Sequence, residues 1–215
     1  MSLMKTAAAE ILKRLDLYGW YSVGKHGSLV EDGWFRSFQE QRPVDGEGNP
    51  IPFITYPAIE FLKRRVRPEM TVLEYGSGMS TLWWASRVKQ VNAVEHDRAW
   101  FERVTKMVPP NVTVHFASVE DKTTYPGMAQ VAGGPFSVAV IDGRLRVRCA
   151  RAAVEKLTPD GVVIWDNSDR DYYKPGYQFL AERGFRRLEF VGPCPSINEK
   201  GETSIFYREG NCLGI

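Results

Sequence analysis

The segment from Thr71 to Ala85, TVLEYGSGMSTLWWA, constrains the fold more than any other part of the chain. It reads as a short apolar strand ending in Glu74, a turn with glycines at Gly76 and Gly78, and then a helix. A strand, turn and helix in this order present backbone N–H groups and a helix N-terminus to one face of a ligand, and the two glycines let that ligand approach the main chain. The pattern predicts a nucleotide pocket. Dinucleotide-binding loops of related shape carry a third glycine, as G-x-G-x-x-G. Thr81 stands at that position here, which disfavours an NAD-dependent oxidoreductase.

Beyond Pro57, strand and helix patterns alternate. Strands are expected near 71–75, 91–95, 112–116, 136–141, 161–165, 185–190 and 203–207, and helices near 57–66, 80–88, 98–107, 144–156 and 176–183. Such alternation implies right-handed crossovers and a mainly parallel sheet covered on both faces. The last connection, residues 191–202 (VGPCPSINEKGE), is proline-rich and has no helical period, so the final two strands are expected to pair antiparallel.

At 215 residues, 43% hydrophobic and 25% charged, the chain suits one domain with a full core. We expect a single domain over 1–215, with an N-terminal helix and cap segment at 1–56 and a cofactor-binding core at 57–215. The first seventeen residues carry apolar positions at helical spacing (Leu3, Ala7, Ile11, Leu12, Leu15) and are expected to form an amphipathic helix packed on the domain. Residues 18–52 are rich in glycine, proline, aromatics and charge and have no sustained period. They form either a partly ordered cap near the acceptor site, or an arm that covers the sheet or pairs with another subunit.

A net charge of +2 with interspersed signs gives no field demanding a nucleic-acid or membrane partner. RRVR at Arg64 to Arg67 and RLRVR at Arg144 to Arg148 read as solvated helix faces, with an anion site as the alternative. Cys149, Cys194 and Cys212 are widely spaced, without a C-x-x-C pair, and read as free thiols in a reducing compartment. The charged N-terminal stretch has no uninterrupted apolar run for a signal peptide or membrane span, so a cytoplasmic location is expected.

A second apolar strand, VNAVE, ends in Glu95, 21 residues after Glu74. An acid at that point can accept hydrogen bonds from both hydroxyls of a ribose. The two acids flanking a glycine turn resemble the class I S-adenosylmethionine-dependent methyltransferases, and the resemblance spans roughly residues 53–207. It implies a Rossmann-like three-layer sandwich with a seven-stranded sheet in the order 3-2-1-4-5-7-6, the last strand antiparallel. It also implies that Glu74, Gly76, Ser77 and Gly78 meet the methionine portion of S-adenosylmethionine and that Glu95 holds its ribose.

Other positions follow from the same strand ends. Ser80 and Thr81 open the helix after the turn, with Ser80 a candidate N-cap as well as a cofactor contact. His96 is a candidate for the adenine pocket, and Asp97 is expected to cap the following helix. In HFASVED, the resemblance places Ser118 and Val119 at the adenine ring, the alternative being an ordinary polar loop. Tyr56, in FITYPAIEF, either stacks near the methionine portion or packs in the core.

The fourth and fifth strands lead into FSVAVIDGRLRV and GVVIWDNSDR. If they are adjacent, about 4.8 Å apart, Asp142, Asp166 and Asn167 converge beside the reactive methyl and are the candidate catalytic residues. Two carboxylates and an amide carbonyl suit a hard ion such as Mg²⁺. The D…DN pattern resembles metal-dependent catechol-type and caffeoyl-coenzyme-A-type O-methyltransferases, in which these positions hold the ion. Those enzymes commonly carry a lysine base three residues beyond the first Asp, whereas Leu145 stands there in this chain and Arg144 one residue earlier. Arginine stays protonated and is no base. Either a metal alone activates the acceptor, Asp142 or Asp169 takes the proton, or no metal binds. The alternative for residues 166–169 is a turn held by side-chain-to-backbone bonds.

The expected reaction is methyl transfer to a hydroxyl of a small molecule, with a saccharide or an aromatic ring as candidates. Trp20, Trp34, Phe35, Tyr172 and Tyr173 form either an aromatic wall for it or part of the core. No asparagine-proline-proline-aromatic motif indicates nucleic-acid methylation. A cofactor-binding regulator or partner subunit without catalysis is the rival class.

Overall fold

The computed structural model describes residues 3–215, with side chains from Ala9 onward. Seven strands form one sheet: β1 (Thr71–Tyr75), β2 (Gln90–Glu95), β3 (Val112–Phe116), β4 (Phe136–Ile141), β5 (Leu157–Asp166), β6 (Arg186–Pro193) and β7 (Lys200–Tyr207). Their order is β3-β2-β1-β4-β5-β7-β6, as expected from the sequence. The first five are parallel, and β7 runs antiparallel between β5 and β6. The order reverses between β1 and β4, and that switch point opens a crevice at the carboxyl ends of the strands.

The central strands are apolar throughout because both faces are covered. Alternation within β1 shows the division: Val72 belongs to one core cluster, with Ile59, Leu62, Trp83 and Trp84, while Leu73 and Tyr75 belong to the other, with Tyr125, Ala139, Ile141 and Trp165. The covering helices are α5 (Tyr56–Lys63), α6 (Met79–Ala85), α7 (Arg98–Val104), α8 (Thr124–Val131), α9 (Arg146–Val154) and α10 (Lys174–Glu182). No helical pattern was expected at α8. Its sequence, TYPGMAQV, carries Pro126 and Gly127, two poor helix formers, and burial of Tyr125 and Ala129 holds it in place instead.

Four helices precede the core: α1 (Leu3–Arg14), α2 (Tyr18–Lys25), α3 (Ser28–Glu31) and α4 (Trp34–Glu40). One expectation changes here: of the apolar positions expected to pack on the domain, Ile11 is 59% exposed and Leu15, just beyond the end of the first helix, is 61% exposed, while Leu12 is half-buried. Met1, Ser2 and the side chains of Leu3 and Ala7 lie outside the described residues. Residues 18–52, without a visible period, contain three short helices. The segment is tied down by long-range bonds, from Trp34 Nε1 to the Ile197 carbonyl (2.9 Å) and between Ser37 Oγ and both backbone groups of Val44 (2.9 and 3.0 Å).

The three cysteines are free and buried. Among the described residues no helix is long and apolar enough to cross a membrane.

Candidate active site

The crevice at the switch point has a volume of about 890 Å³, and Glu74, the turn Gly76–Ser80, Glu95, His96 and Asp142 all line it. Register explains the convergence: Tyr75 pairs with Val94 on one side and with Ile141 on the other, so β1, β2 and β4 end level with one another. The turn leaves β1 through Gly76 (φ 105°) and Gly78 (φ 152°), conformations open mainly to glycine. On the facing loop, a Cβ on Gly143 would stand 2.1 Å from Tyr125 Oη, so two backbone segments meet there without room for a side chain.

Glu74 lies at the floor, 1% exposed. Its Oε2 accepts a 2.5 Å bond from Thr81 Oγ1, which in turn accepts from the Gly78 N–H at 3.0 Å. Burial pushes this carboxyl up to about 7, against the opposing effect of the Ser80 and Thr81 hydroxyls, and the Glu95 charge adds to the rise. No lysine, arginine or histidine pairs with it among the described residues. A buried acid without a countercharge, facing a crevice beside a glycine turn, suits the ammonium of an amino-acid ligand. The N-cap of α6 is Gly78 rather than Ser80, because the helix starts at Met79.

Glu95 is 3% exposed, and its Oε1 accepts the backbone N–H groups of His96 (2.7 Å) and Asp97 (2.8 Å) while Oε2 accepts Ser77 Oγ (2.7 Å). These bonds aim the carboxylate at the turn and leave Oε2 a lone pair for a ligand hydroxyl. Asp97 caps α7 as expected, accepting from the Trp100 N–H at 2.8 Å. Trp100 was not anticipated. Its indole donates to the Ser77 carbonyl at 2.9 Å and walls the crevice beside Gly78. The sequence carried one clue, since Asp97 as N-cap turns a first-turn side chain back over the loop.

Four expected contacts fall outside the lining, and one of them, Thr81, is fully buried behind it with its hydroxyl on Glu74. Tyr56 is 5% exposed in the core at the start of α5, where its hydroxyl finds no hydrogen-bond partner among the described residues. Ser118 Oγ accepts the Glu120 N–H at 3.2 Å, closing a local turn, and Val119 packs against the core cluster of Tyr125. The polar-loop reading of that segment describes these contacts.

At the β4 and β5 ends, pairing of Ile141 with Trp165 sets Asp142 beside Asp166, as adjacency of the strands required. Only Asp142 lines the crevice. Asp166, 4% exposed, faces β7, where its Oδ1 accepts from Thr203 Oγ1 at 2.9 Å. Asn167 takes a left-handed turn (φ 51°), and Ser168 N–H donates to the Glu202 carbonyl at 2.9 Å, so the DNSD segment is the bonded turn of the alternative reading.

The cation between the two acids is Arg146. Its Nη2 donates to Asp142 Oδ1 (2.9 Å) and to the Asp142 carbonyl (2.8 Å), its Nε to the Gly143 carbonyl (3.0 Å), and its Nη1 to the Asp166 carbonyl. Burial, followed by the Asp166 charge, raises the Asp142 carboxyl well above the usual range; Arg146 opposes the rise. A divalent ion does not fit this donor set. Asp142 is already held by a guanidinium that would repel it, Asp166 Oδ1 is taken up by Thr203 Oγ1, and no group of three or more His, Cys, Asp or Glu side chains is placed to hold a metal among the described residues. Nothing in the RLRVR run marks its middle arginine, four residues from Asp142, as the one that points inward.

The N-terminal segment contributes Gln41, Arg42, Pro43 and Phe53 to the crevice lining.

Comparison with known proteins places this geometry. Residues 73–168 match the family model for a methyltransferase domain. A Klebsiella pneumoniae protein assigned as an O-methyltransferase superposes with a TM-score of 0.56 at 15% identity, over 93% of this chain and 94% of the other. An rRNA methylase from Streptococcus thermophilus gives 0.54 at 15% identity, covering 73% and 99%. Spermidine synthase from Thermotoga maritima gives 0.55 at 16% identity, covering 69% and 56%, so the fold alone does not select the reaction. No curated protein matches the sequence. The matched segment holds most of the strands and the turn that build the crevice, so this part of the chain is similar to a methyltransferase domain, and the seven-strand order around it is that of the Rossmann-like methyltransferase fold.

Proposed function

We propose that the chain transfers the methyl group of S-adenosylmethionine to a hydroxyl oxygen of a small molecule and that Asp142 takes the proton. The observation that carries this reading is the convergence of Glu74, Glu95 and Asp142, from the ends of three adjacent strands, on one crevice beside the glycine turn.

Glu74 supplies the countercharge for the amino-acid ammonium, and the backbone of Gly76–Gly78 lies against the methionine portion. Glu95 accepts a ribose hydroxyl through Oε2, and Trp100 covers the nucleoside side. When bound, the cofactor supplies an electrophilic sulfonium methyl, so no covalent enzyme intermediate is needed. Transfer to oxygen then requires alignment and removal of one proton. Asp142 suits that task, because a carboxyl raised above its usual range is a stronger base. Arg146 fixes its orientation at 2.9 Å and occupies the place expected for a metal, so the reaction runs without a divalent ion. The buried, unpaired thiols suit a reducing, cytoplasmic setting.

Calorimetry with S-adenosylmethionine, followed by adenosylhomocysteine release across hydroxylated small molecules in EDTA and in Mg²⁺, tests the reading. Binding and EDTA-insensitive release are expected. NADH binding in place of the nucleoside would overturn the cofactor assignment, and release only with Mg²⁺ would overturn the role given to Arg146.

A further inference from the structure

Beside the crevice, and sharing Gly143, Arg144 and Arg146 with it, lies a groove of about 480 Å³ whose other walls include Arg148, Arg170, Tyr172 and Tyr173. No carboxylate lines it. Arg144 makes no side-chain hydrogen bond or ion pair among the described residues. Arg148 is anchored by Nη1 to the Lys122 carbonyl (3.1 Å), and Arg170 by Nη1 to the Tyr172 hydroxyl (3.0 Å), so neither is neutralised by an acid. The nearby carboxylates Asp169 and Asp171 line an adjoining cleft that Arg170 also borders, but neither pairs with Arg170, and Asp171 pairs there with Lys174 at 2.9 Å.

Three uncompensated guanidiniums around one hollow form a site for an anion, since each presents a planar fork of donors suited to phosphate, sulfate or carboxylate oxygens. The groove also has an aromatic side. Tyr172 and Tyr173 meet edge to face, 4.4 Å between ring centroids, and Tyr172 is 63% exposed. The field is positive enough to act on the protein's own groups: the Arg170 hydrogen bond holds the Tyr172 hydroxyl below its usual range, with Arg146 adding to the effect.

We propose that this groove binds the distal end of the methyl acceptor, and that the acceptor is a ring-bearing small molecule carrying an anionic group held by Arg144, Arg148 and Arg170. The groove's claim as an anion site stands on its own, whereas its assignment to the acceptor rests on the methyltransferase reading above. Because groove and crevice join at Gly143 and Arg144, such a molecule bound there reaches Asp142 with its opposite end.

Calorimetric titration of the full chain with phenyl phosphate, phenol and inorganic phosphate tests this, with adenosylhomocysteine titrated separately. Phenyl phosphate is expected to bind at least threefold more tightly than inorganic phosphate and to outcompete phenol. R148Q/R170Q, at residues outside the cofactor crevice, is expected to weaken phenyl phosphate at least tenfold and to leave adenosylhomocysteine affinity and melting temperature unchanged within twofold and about 2 °C. Equal phenyl phosphate binding by wild type and variant, or none by either, overturns the site whether or not adenosylhomocysteine binds. Loss of adenosylhomocysteine binding alone overturns the methyltransferase reading and leaves the anion groove standing. A ten-nucleotide RNA that binds more tightly than phenyl phosphate through the same arginines overturns the small-molecule assignment.

Discussion

Lowering the pH from 7 to 5.5 is expected to weaken adenosylhomocysteine binding about sixteenfold, or about 1.6 kcal/mol, through one residue, Glu74. The ligand's ammonium requires the ionised carboxylate. With burial raising Glu74 to about 7, the carboxylate is about half ionised at pH 7 and about 3% ionised at pH 5.5. Binding therefore releases a proton below neutrality, and log K rises with pH at a slope approaching one before flattening above 7. The sign for stability is opposite. In the free protein the folded state holds this proton more tightly than the unfolded chain at its ordinary 4.5, so stability declines as pH rises from about 4.5 to about 7, by about 3 kcal/mol in all. Calorimetry at half-unit steps between pH 5.5 and 7, in buffers of different ionisation enthalpy, measures both the slope and the released proton. Glu74→Gln keeps an acceptor for Thr81 Oγ1 but cannot ionise. It is expected to bind weakly and without pH dependence, and to abolish the stability decline. A wild-type affinity that is flat across this range, or a slope that survives in Glu74→Gln, refutes the reasoning.

Asp142→Asn is expected to lower kcat by about 10²-fold or more while leaving the cofactor Kd within a few-fold, measured as adenosylhomocysteine release once an acceptor is found. Arg146→Met removes the guanidinium from Asp142 and from the Gly143 and Asp166 carbonyls. Breaking a largely buried pair is expected to cost about 3 kcal/mol, read as a fall of roughly 10 °C in Tm, and Arg146→Lys is expected to recover only part of it. Gly143→Ala would set a methyl group 2.1 Å from Tyr125 Oη and 3.0 Å from the Tyr75 carbonyl carbon. A loss of about 1–3 kcal/mol in denaturant unfolding is expected, with cofactor affinity falling as the two loops separate.

What could be read along the chain was local. Short apolar runs marked the strands, Gly76 and Gly78 marked the turn, and acids at the ends of the first, second and fourth strands marked the crevice edge. Alternation of strands and helices gave a mainly parallel sheet with an antiparallel final pair, whereas the order of the seven strands came from the methyltransferase resemblance. What the tertiary structure alone decided is where each polar group at a strand end points. Asp166 closes β5 and Asp142 follows β4, yet β7 lies against β5 and Thr203 takes up Asp166 Oδ1, so only Asp142 lines the crevice. Arg146 sits in a run of arginines that looks uniformly solvated, and only its burial between two loops turns it into the cation at Asp142. Trp100 and the cap reach the site across contacts with no sequence period, and the exposed Ile11 and Leu15 show that an amphipathic pattern does not name its partner. Backbone path follows from short-range sterics and patterning, whereas side-chain direction at a loop depends on which distant strand supplies the nearest donor or charge.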